Sequence, residues 1–597
     1  MTGTEVAAIF RDEPLSADSD EQRRALPGLP IRSDLALVAC AVALIGLETL
    51  AYTVHGPFEW TAARLWALGG CGFLALGSVA VVRAALSAAR DRCLTSLIMV
   101  LAIFFVALWG ISGVDHVQIQ HEATQEIADG LEAAQQPAWS YTGVGFLGYP
   151  SRQYLVAAIP SMLLGRGLPA LRLGFALPFL FGALLFWAGA REWWLGLPGG
   201  GTAAALVTLS VPAFPYAIDH LRWYEQTVFP LAATLAVAGW LLIAVRRPTV
   251  AALLGLGWIG ALLGCSYTPA LASAGLLAVS LMWLAAASWR RAERGLALGW
   301  LAAVVTTVGV TALSFLTRLD LFKEVDHPTF KAELAGSLRE AFAIFLFGSP
   351  RLFLPPALFL PIIAVIVLGL IGRLQLPGLA IAWWTLAVIV TAAVLSGYAN
   401  PPPSFGLHRA LVVIPPLLLL TGWTGLRFLA KRSAPCTARA VLAIMVVLVV
   451  GQSAWNLATL DREYRPKLHE VVLADMLEQG RRLEIGSDAR PTVVLLTGRG
   501  EIDNAKDYLM YFYPGHRIVW SVEEAATLDP TLGPVFVYAD ADIPPAGSLS
   551  WLDPENGDLI VYDRPGSPHR MIRWALNAGA TVPVDARGSA APPTSER

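Results

Sequence analysis

A chain of 597 residues is long enough for several soluble domains, yet 55% of it is hydrophobic and only 15% charged, against roughly 25% charged in soluble domains. Mean hydropathy is +0.57, and apolar runs recur from 35 to about 456, each near the roughly 20 residues that cross a bilayer core, so the sequence reads as a polytopic α-helical membrane protein. The net charge of −2, with no basic cluster, argues against nucleic acid as a partner. The five cysteines, Cys40, Cys71, Cys93, Cys265 and Cys436, lie in or beside apolar runs without ligand spacing, which argues against both a disulfide framework and a cysteine zinc site.

In chain order, residues 1–33 form a polar tail, too long and acidic for a cleaved signal peptide. It reads as disordered and cytoplasmic, followed by a first span that acts as an uncleaved anchor. Window length gives about thirteen spans, with cores near 34–53, 63–82, 95–112, 173–190, 201–218, 228–245, 251–265, 270–287, 296–314, 353–371, 379–396, 409–427 and 438–457. The first two, within 34–94, precede a transmembrane module over 95–460. Arg83, Arg90 and Arg92, then Arg246 and Arg247, then Arg290, Arg291 and Arg294, then Arg427, Lys431, Arg432 and Arg439 fall on alternate loops. One orientation therefore satisfies the positive-inside rule. The N-terminus is inside and everything after about 459 is outside, in the plasma (inner) membrane of a bacterial cell.

The same rule decides the short apolar segment 155–164. As a span it would invert every later loop, and it contains Pro160. It reads as an amphipathic helix lying in the outer interface, within a first outer loop at 113–172. A second outer loop, 317–352, carries an expected helix at 329–346.

Beyond 461 the pattern changes to short apolar segments: TVVLLT (492–497), RIVW (517–520), PVFVYAD (534–540) and LIVYD (559–563). Helical stretches at 504–513 and 521–528 separate the first three. Alternating strands and helices suggest a small extracytoplasmic α/β domain over 461–580 with a largely parallel sheet. The Ala-, Pro- and Ser-rich tail, 581–597, reads as disordered. TGRGE (497–501) lacks the full glycine fingerprint of a phosphate loop and reads as a turn. Asp540 and Asp542 read as solvated carboxylates.

The outer face collects the polar residues that could do chemistry. DHVQIQHEATQEI (115–127) leaves the third span with Asp115, His116, His121 and Glu122 in close sequence. Solvated charges at a helix exit would look the same. The same loop, however, holds an aromatic, glycine-rich stretch around Tyr149 and its own apolar helix. Arg172, Arg222 and Arg409 then lie at outer span ends, where the positive-inside rule disfavours them. Each could snorkel to headgroups, or serve as a planar fork for a phosphate. Tyr224 beside Arg222 could stack on a sugar or anchor at the interface. Outer carboxylates with outer arginines suit a lipid phosphate that carries a transferable group.

Four stretches resemble the GT-C fold membrane glycosyltransferases, specifically bacterial relatives of protein O-mannosyltransferases and aminoarabinose transferases. HEATQEIADGL (121–131) occupies the register of the family's acidic motif in the first outer loop. YPSRQYLVAAIPSMLLGRGLPALRL (149–173) matches a Tyr-Pro that introduces an interfacial helix ending at Gly and followed by Arg-Leu. LRWYEQT (221–227) matches an Arg-x-Tyr outer turn, and HRALVVIPPLLLLTGWTGL (408–426) a late Arg before a span with paired prolines. The resemblance covers 115–427. Where the family has Asp-Glu, this chain has His121-Glu122, so Asp115 or Glu122 stands as the catalytic base.

The resemblance implies a polyprenyl-phosphate sugar donor, with His116, His121, Tyr149, Arg172, Arg222, Tyr224 and Arg409 around the substrates. It implies a direct, inverting displacement on an acceptor hydroxyl of a glycan, lipid or protein. No cofactor is implied; Asp115, His116, His121 and Glu122 could in principle hold a divalent metal, without supporting spacing. Two other readings stay open: a transporter or flippase, and a non-catalytic scaffold that binds lipid-linked glycan. A transporter would need ionisable groups near the bilayer midplane, where the assigned spans carry almost none.

Overall fold

The computed structural model describes residues 39–47, 49–50, 57–91, 152–194, 200–209, 228–266, 268–316, 492–496, 508–514, 516–540, 549–553, 557–562 and 569–576, with single positions between 94 and 131 and between 436 and 451. The chain divides into two compact units. One comprises Met1–Gly165 and Pro169–Arg465, the other Arg166–Leu168 and Pro466–Arg597.

The first unit is helical, as a chain crossing lipid must be when no water is present to satisfy its backbone. Its helices are α1 (Pro57–Arg90), α2 (Arg152–Leu164), α3 (Leu168–Trp193), α4 (Gly200–Leu209), α5 (Val228–Arg246), α6 (Val250–Gly264), α7 (Thr268–Arg290) and α8 (Arg294–Leu316). Among the described residues four segments are long and apolar enough to span: Leu68–Arg90, Leu168–Trp193, Val228–Arg246 and Arg294–Leu313. These coincide with four of the cores expected from window length. The spans expected between 353 and 427, the outer helix at 329–346 and both polar tails lie outside the described residues.

Helices of this kind have no hydrophobic drive to associate inside lipid, so close packing over small residues does the work. On α3 and α5, a Cβ added at Gly189 would fall on the Gly239 backbone, and one at Gly239 on the Leu185 carbonyl. On α6, Gly257, Gly260 and Gly264 face Thr306, Thr307 and Thr311 of α8. There the Thr307 hydroxyl donates to the Gly257 carbonyl at 3.2 Å. Helix α1 docks by a seven-residue rhythm of small residues. Gly70 sits against Trp258, Gly77 against Phe181 and Trp240, and Ala84 and Ala88 cluster with Trp187. Its remaining surface, including Leu68, Val79 and Leu86, is exposed and suits lipid.

Polar contacts gather at one end of this bundle. The buried Arg191 guanidinium pairs with Asp91 at 2.5 Å and donates to the Ser87 hydroxyl at 3.1 Å. Its neighbour Glu192 pairs with Arg247 at 3.0 Å. These bonds bring the C-terminal ends of α1, α3 and α5 together. The α5–α6 and α7–α8 connections are three residues long. At the first of them Thr249 caps α6 by accepting from the Ala252 amide at 3.2 Å.

Helix α2 forms where a non-spanning helix was expected, with Pro160 inside it. It buries Ala157, Ala158, Pro160 and Ser161 and exposes Val156, Ile159, Met162, Leu163 and Leu164. The exposed face is therefore apolar, with Leu163 78% and Leu164 67% exposed. Among the described residues of α2 the exposed positions are all apolar apart from Gly165 beyond its end, and the buried ones include Ser161.

The second unit holds a five-stranded sheet of order β2-β1-β3-β5-β4, formed by β1 (Thr492–Leu496), β2 (Ile518–Val519), β3 (Val535–Asp540), β4 (Asp558–Tyr562) and β5 (His569–Leu576), with a short helix α9 (Val522–Ala526). Strand β1 pairs in parallel with β2 and β3. Strand β5 runs antiparallel to both β3 and β4. The sheet is thus evenly mixed and not largely parallel, because β5 was not expected at all. Its inward residues Ile572, Trp574 and Leu576 join the core of Val494, Val537, Ala539 and Leu552, and the Trp574 indole donates to the Asp553 carbonyl at 3.0 Å. Strand β3 is buried on its other side too, where the Tyr538 and Tyr513 hydroxyls bond at 2.8 Å.

Candidate functional site

Arg172 is the one expected site residue within the described positions. Asp115, His116, His121, Glu122, Tyr149, Arg222, Tyr224 and Arg409 lie outside them. It sits one turn into α3 and is fully buried, 0% exposed. A guanidinium cannot shed its proton, so in a buried place it requires acceptors or an anion around it. Arg191 lies nineteen positions further on, about 28 Å along the helix axis at 1.5 Å per residue, close to the roughly 30 Å of a hydrocarbon core. Arg172 therefore belongs to the end of α3 opposite the Asp91–Arg191 pair.

Described residues of two of the four sequence stretches meet there, joined by the start of α5. The acidic stretch 121–131 is represented by Thr124, Ile127, Ala128 and Leu131, all buried. A Cβ built on Gly174, two residues past Arg172, would meet the Ala157 carbonyl of α2 and would lie 3.2 Å from Ile127 Cδ1. The absent side chain at Gly174 thus lets α2 and the acidic stretch close onto the first turns of α3. From the other direction, Phe175 meets Phe229 edge-on with ring centroids 5.6 Å apart. Phe229 lies at the start of α5, five residues after Tyr224 in sequence. The apolar contacts Ile127, Gly174, Phe175 and Phe229 were not foreseen as site builders, because in sequence they look like any residue of an apolar span.

The described spans carry their charges near their ends: Arg83 and Arg90 on α1, Arg172, Arg191 and Glu192 on α3, Arg246 on α5, Arg290 on α7 and Arg294 on α8. Among the described residues no group of three or more His, Cys, Asp and Glu gathers as a metal site.

These features define a class: a polytopic helical membrane protein with a separate mixed α/β unit and a buried arginine at one end of its bundle. No protein-family model matches the chain, and no curated protein does. The chain is similar to solved structures of ArnT from Cupriavidus metallidurans. For the apo state the TM-score is 0.45 at 18% identity, covering 82% of this chain and 99% of that one. For the structure bound to undecaprenyl phosphate it is 0.45 at 17%, covering 81% and 98%. An Archaeoglobus fulgidus oligosaccharyltransferase, tethered with an acceptor peptide, gives 0.38 at 10% identity, covering 80% of this chain and 74% of that one. Likenesses of this size carry no residue's role across.

Proposed function

We propose that the protein is a glycosyltransferase that moves a sugar from a polyprenyl-phosphate donor to an acceptor hydroxyl at the outer face of the membrane. The observation that supports it most is the convergence on the first turns of α3. The acidic stretch through Ile127, the helix α2 through Ala157 and the start of α5 through Phe229 all meet beside the buried Arg172. The exposed apolar face of α2 offers a surface on which a lipid tail can lie.

In this reading Arg172, Arg222 and Arg409 hold the donor phosphate and stabilise the charge that develops on it as it leaves. Asp115 or Glu122 takes the proton from the acceptor hydroxyl. The acceptor oxygen forms its bond to the anomeric carbon while the bond from that carbon to the phosphate oxygen breaks on the opposite face. Polyprenyl phosphate departs with the electron pair, and the anomeric configuration inverts. His116, His121, Tyr149 and Tyr224 line the sugar and acceptor. No step needs a cofactor. The bundle end that gathers Arg90, Arg191, Arg246, Arg247, Arg290, Arg291 and Arg294 is read as the cytoplasmic one, as the positive-inside rule favours, with Arg172 at the outer end of α3. A transporter fits less well, since the described spans lack midplane ionisable groups, each of which would mark a pathway.

The test is turnover by the full-length protein in lipid, supplied with a bacterial polyprenyl-phosphate sugar extract and read by mass spectrometry of the donor pool. Wild type consumes one donor. Of Asp115→Asn and Glu122→Gln, the one that removes the base lowers the rate by about 10²–10⁴-fold. A donor pool left intact by wild type, without hydrolysis, rejects the transferase.

A further inference from the structure

Three arginines and one carboxylate share the short turn between α7 and α8. Arg290 ends α7, Arg291 and Glu293 lie in the turn and Arg294 begins α8, and all three arginines are exposed. The other carboxylates described at this end of the bundle are already paired, Asp91 with Arg191 and Glu192 with Arg247. The turn therefore keeps an excess of positive charge at the surface.

Its backbone is closely defined. The Ala292 amide donates to the Trp289 carbonyl at 3.0 Å and the Glu293 amide to the Ser288 carbonyl at 3.0 Å, the pair of bonds that closes a helix as a Schellman motif. Ala292 takes the left-handed conformation, φ 61°, that glycine usually supplies at such an end. Held this way, the chain enters α8 at once. The Arg294 guanidinium then lies over the Trp289 ring, 5.9 Å from its centroid, within the range at which a cation is drawn to an aromatic face.

From this charged head two apolar stripes run along the helices. The exposed positions are Val279, Met282, Ala286 and Trp289 on α7, and Leu301, Val305 and Val308 on α8. Spacings of three and four residues keep each set on one helix face, which suits lipid. Each stripe leads to an arginine. Trp289 adjoins Arg290, and Arg294 precedes Leu301 by seven positions, about two helical turns. Trp289 itself is 58% exposed, as an indole at the headgroup level of a bilayer is.

We propose that the α7–α8 turn is a binding site for an anionic phospholipid of the leaflet at that end of the bundle. Arg290 and Arg294 hold its phosphate, each offering a planar fork of donors, and its chains lie along the two stripes. A free phosphate would meet the arginines but leave the stripes unused. A zwitterionic headgroup would bring a cation of its own into an already positive place. The site needs nothing of the chemistry proposed for the other end of the bundle.

The experiment titrates full-length protein in detergent micelles with phosphatidylglycerol, with phosphatidylcholine or with inorganic phosphate, and reads the bound molecules by native mass spectrometry. One variant combines Arg290→Gln with Arg294→Gln, and another is Trp289→Leu. The control of equal charge combines Arg83→Gln with Arg90→Gln on α1. All five positions are exposed, so the fold is expected to tolerate the changes. Wild type is expected to prefer phosphatidylglycerol to phosphatidylcholine. The double variant of the turn weakens phosphatidylglycerol about tenfold or more, Trp289→Leu about two- to fivefold, and the α1 control leaves it unchanged. Equal weakening in the two double variants would mean that net charge and not the turn attracts the lipid, which overturns the site. Equal affinity for the two lipids overturns it as well. Inorganic phosphate bound as tightly as phosphatidylglycerol, and lost with it in the turn variant, would give the arginines to a soluble anion and overturn the lipid assignment.

Discussion

A guanidinium taken out of water is costly unless acceptors or anions surround it, and Arg172 is the most deeply buried arginine among the described residues, at 0% exposure against 6% for Arg191. The two differ in what the fold does with them. Arg191 pairs with the Asp91 carboxylate and ties two helices together at the crowded end of the bundle. Arg172 stands where the acidic stretch and two helix starts meet. In the transferase reading it is worth more against a phosphate whose charge grows during reaction than against one that is merely bound. Arg172→Lys keeps the charge but loses the planar fork. It is therefore expected to lower kcat about tenfold or more while KM for the donor changes less, in steady-state turnover on a defined donor; a change confined to KM would mean that the residue only binds. Arg172 was singled out in the sequence because a lone arginine at an outer span end is unusual, and its burial is what the structure adds. Its supporting contacts were not visible, since Ile127, Gly174 and Phe229 become distinctive only once three distant segments are brought together.

Electrostatics in the α/β unit act on a smaller scale. The Asp529 carboxylate accepts from the Thr531 hydroxyl at 2.6 Å and from the Thr531 amide at 3.0 Å, and these bonds hold its pKa below the usual value of 3.8. A lowered folded-state pKa means a contribution to stability that is present above 3.8 and lost as pH falls through the folded pKa. The group is fully exposed, so the contribution is small. Melting curves of wild type and Asp529→Asn are expected to differ at neutral pH and to converge as the pH falls below 3.8 and the carboxylate takes up its proton; a constant offset across that range would show that the charge is not responsible.

Among the elements, helices were easier to read than strands, for a physical reason. A span is announced by about twenty apolar residues in a row, and the ends of α3, α5 and α8 fall within a few residues of the expected cores. The sheet is announced by runs of five, which served for β1 and β3 because both are buried on two faces. Strand β5 packs Ile572, Trp574 and Leu576 into the core. Its sequence HRMIRWAL alternates Arg570, Ile572, Trp574 and Leu576 with residues on the opposite face, and the arginines hide the period of two. Helix α2 shows the reverse case. Its place was fixed by the charge rule, while its apolar outer face was not read from the sequence.

What holds the helices to one another is also an element-level property. Gly239 of α5 lies where an added methyl would fall on the Leu185 carbonyl of α3, so Gly239→Ala must push two helix backbones apart. The expected cost is about 1–3 kcal/mol, typical of overpacking, seen as a lower melting temperature in lipid. Gly72→Ala on α1 is the control, since nothing lies within 4 Å of its Cβ position. Replacing a helical Gly with Ala there should be neutral or slightly stabilising. Equal effects of the two would show that helix propensity, and not the α3–α5 approach, decides the outcome.

For the whole molecule the question is which side each end faces. The ion pairs Asp91–Arg191 and Glu192–Arg247 fix the relative sidedness of α1, α3 and α5 without reference to a membrane. Short connections carry that sidedness to α6 and α8. Absolute orientation then depends on a single additional rule, the excess of arginine on cytoplasmic loops. The prediction is direct. Two cysteines are introduced one at a time into a background with Cys40, Cys71, Cys93, Cys265 and Cys436 replaced: Leu532→Cys in the α/β unit, a residue 86% exposed, and Arg291→Cys in the exposed α7–α8 turn. In intact spheroplasts a membrane-impermeant maleimide is expected to label the first at once, and the second only after permeabilisation. Donor chemistry at the outer face needs this result, because Arg172 lies at the opposite end of α3 from the arginine-rich turns. The reverse labelling would place Arg172 and the acidic stretch in the cytoplasm. Soluble nucleotide sugars are at hand there, and the argument for a lipid-linked donor would lose its main physical support.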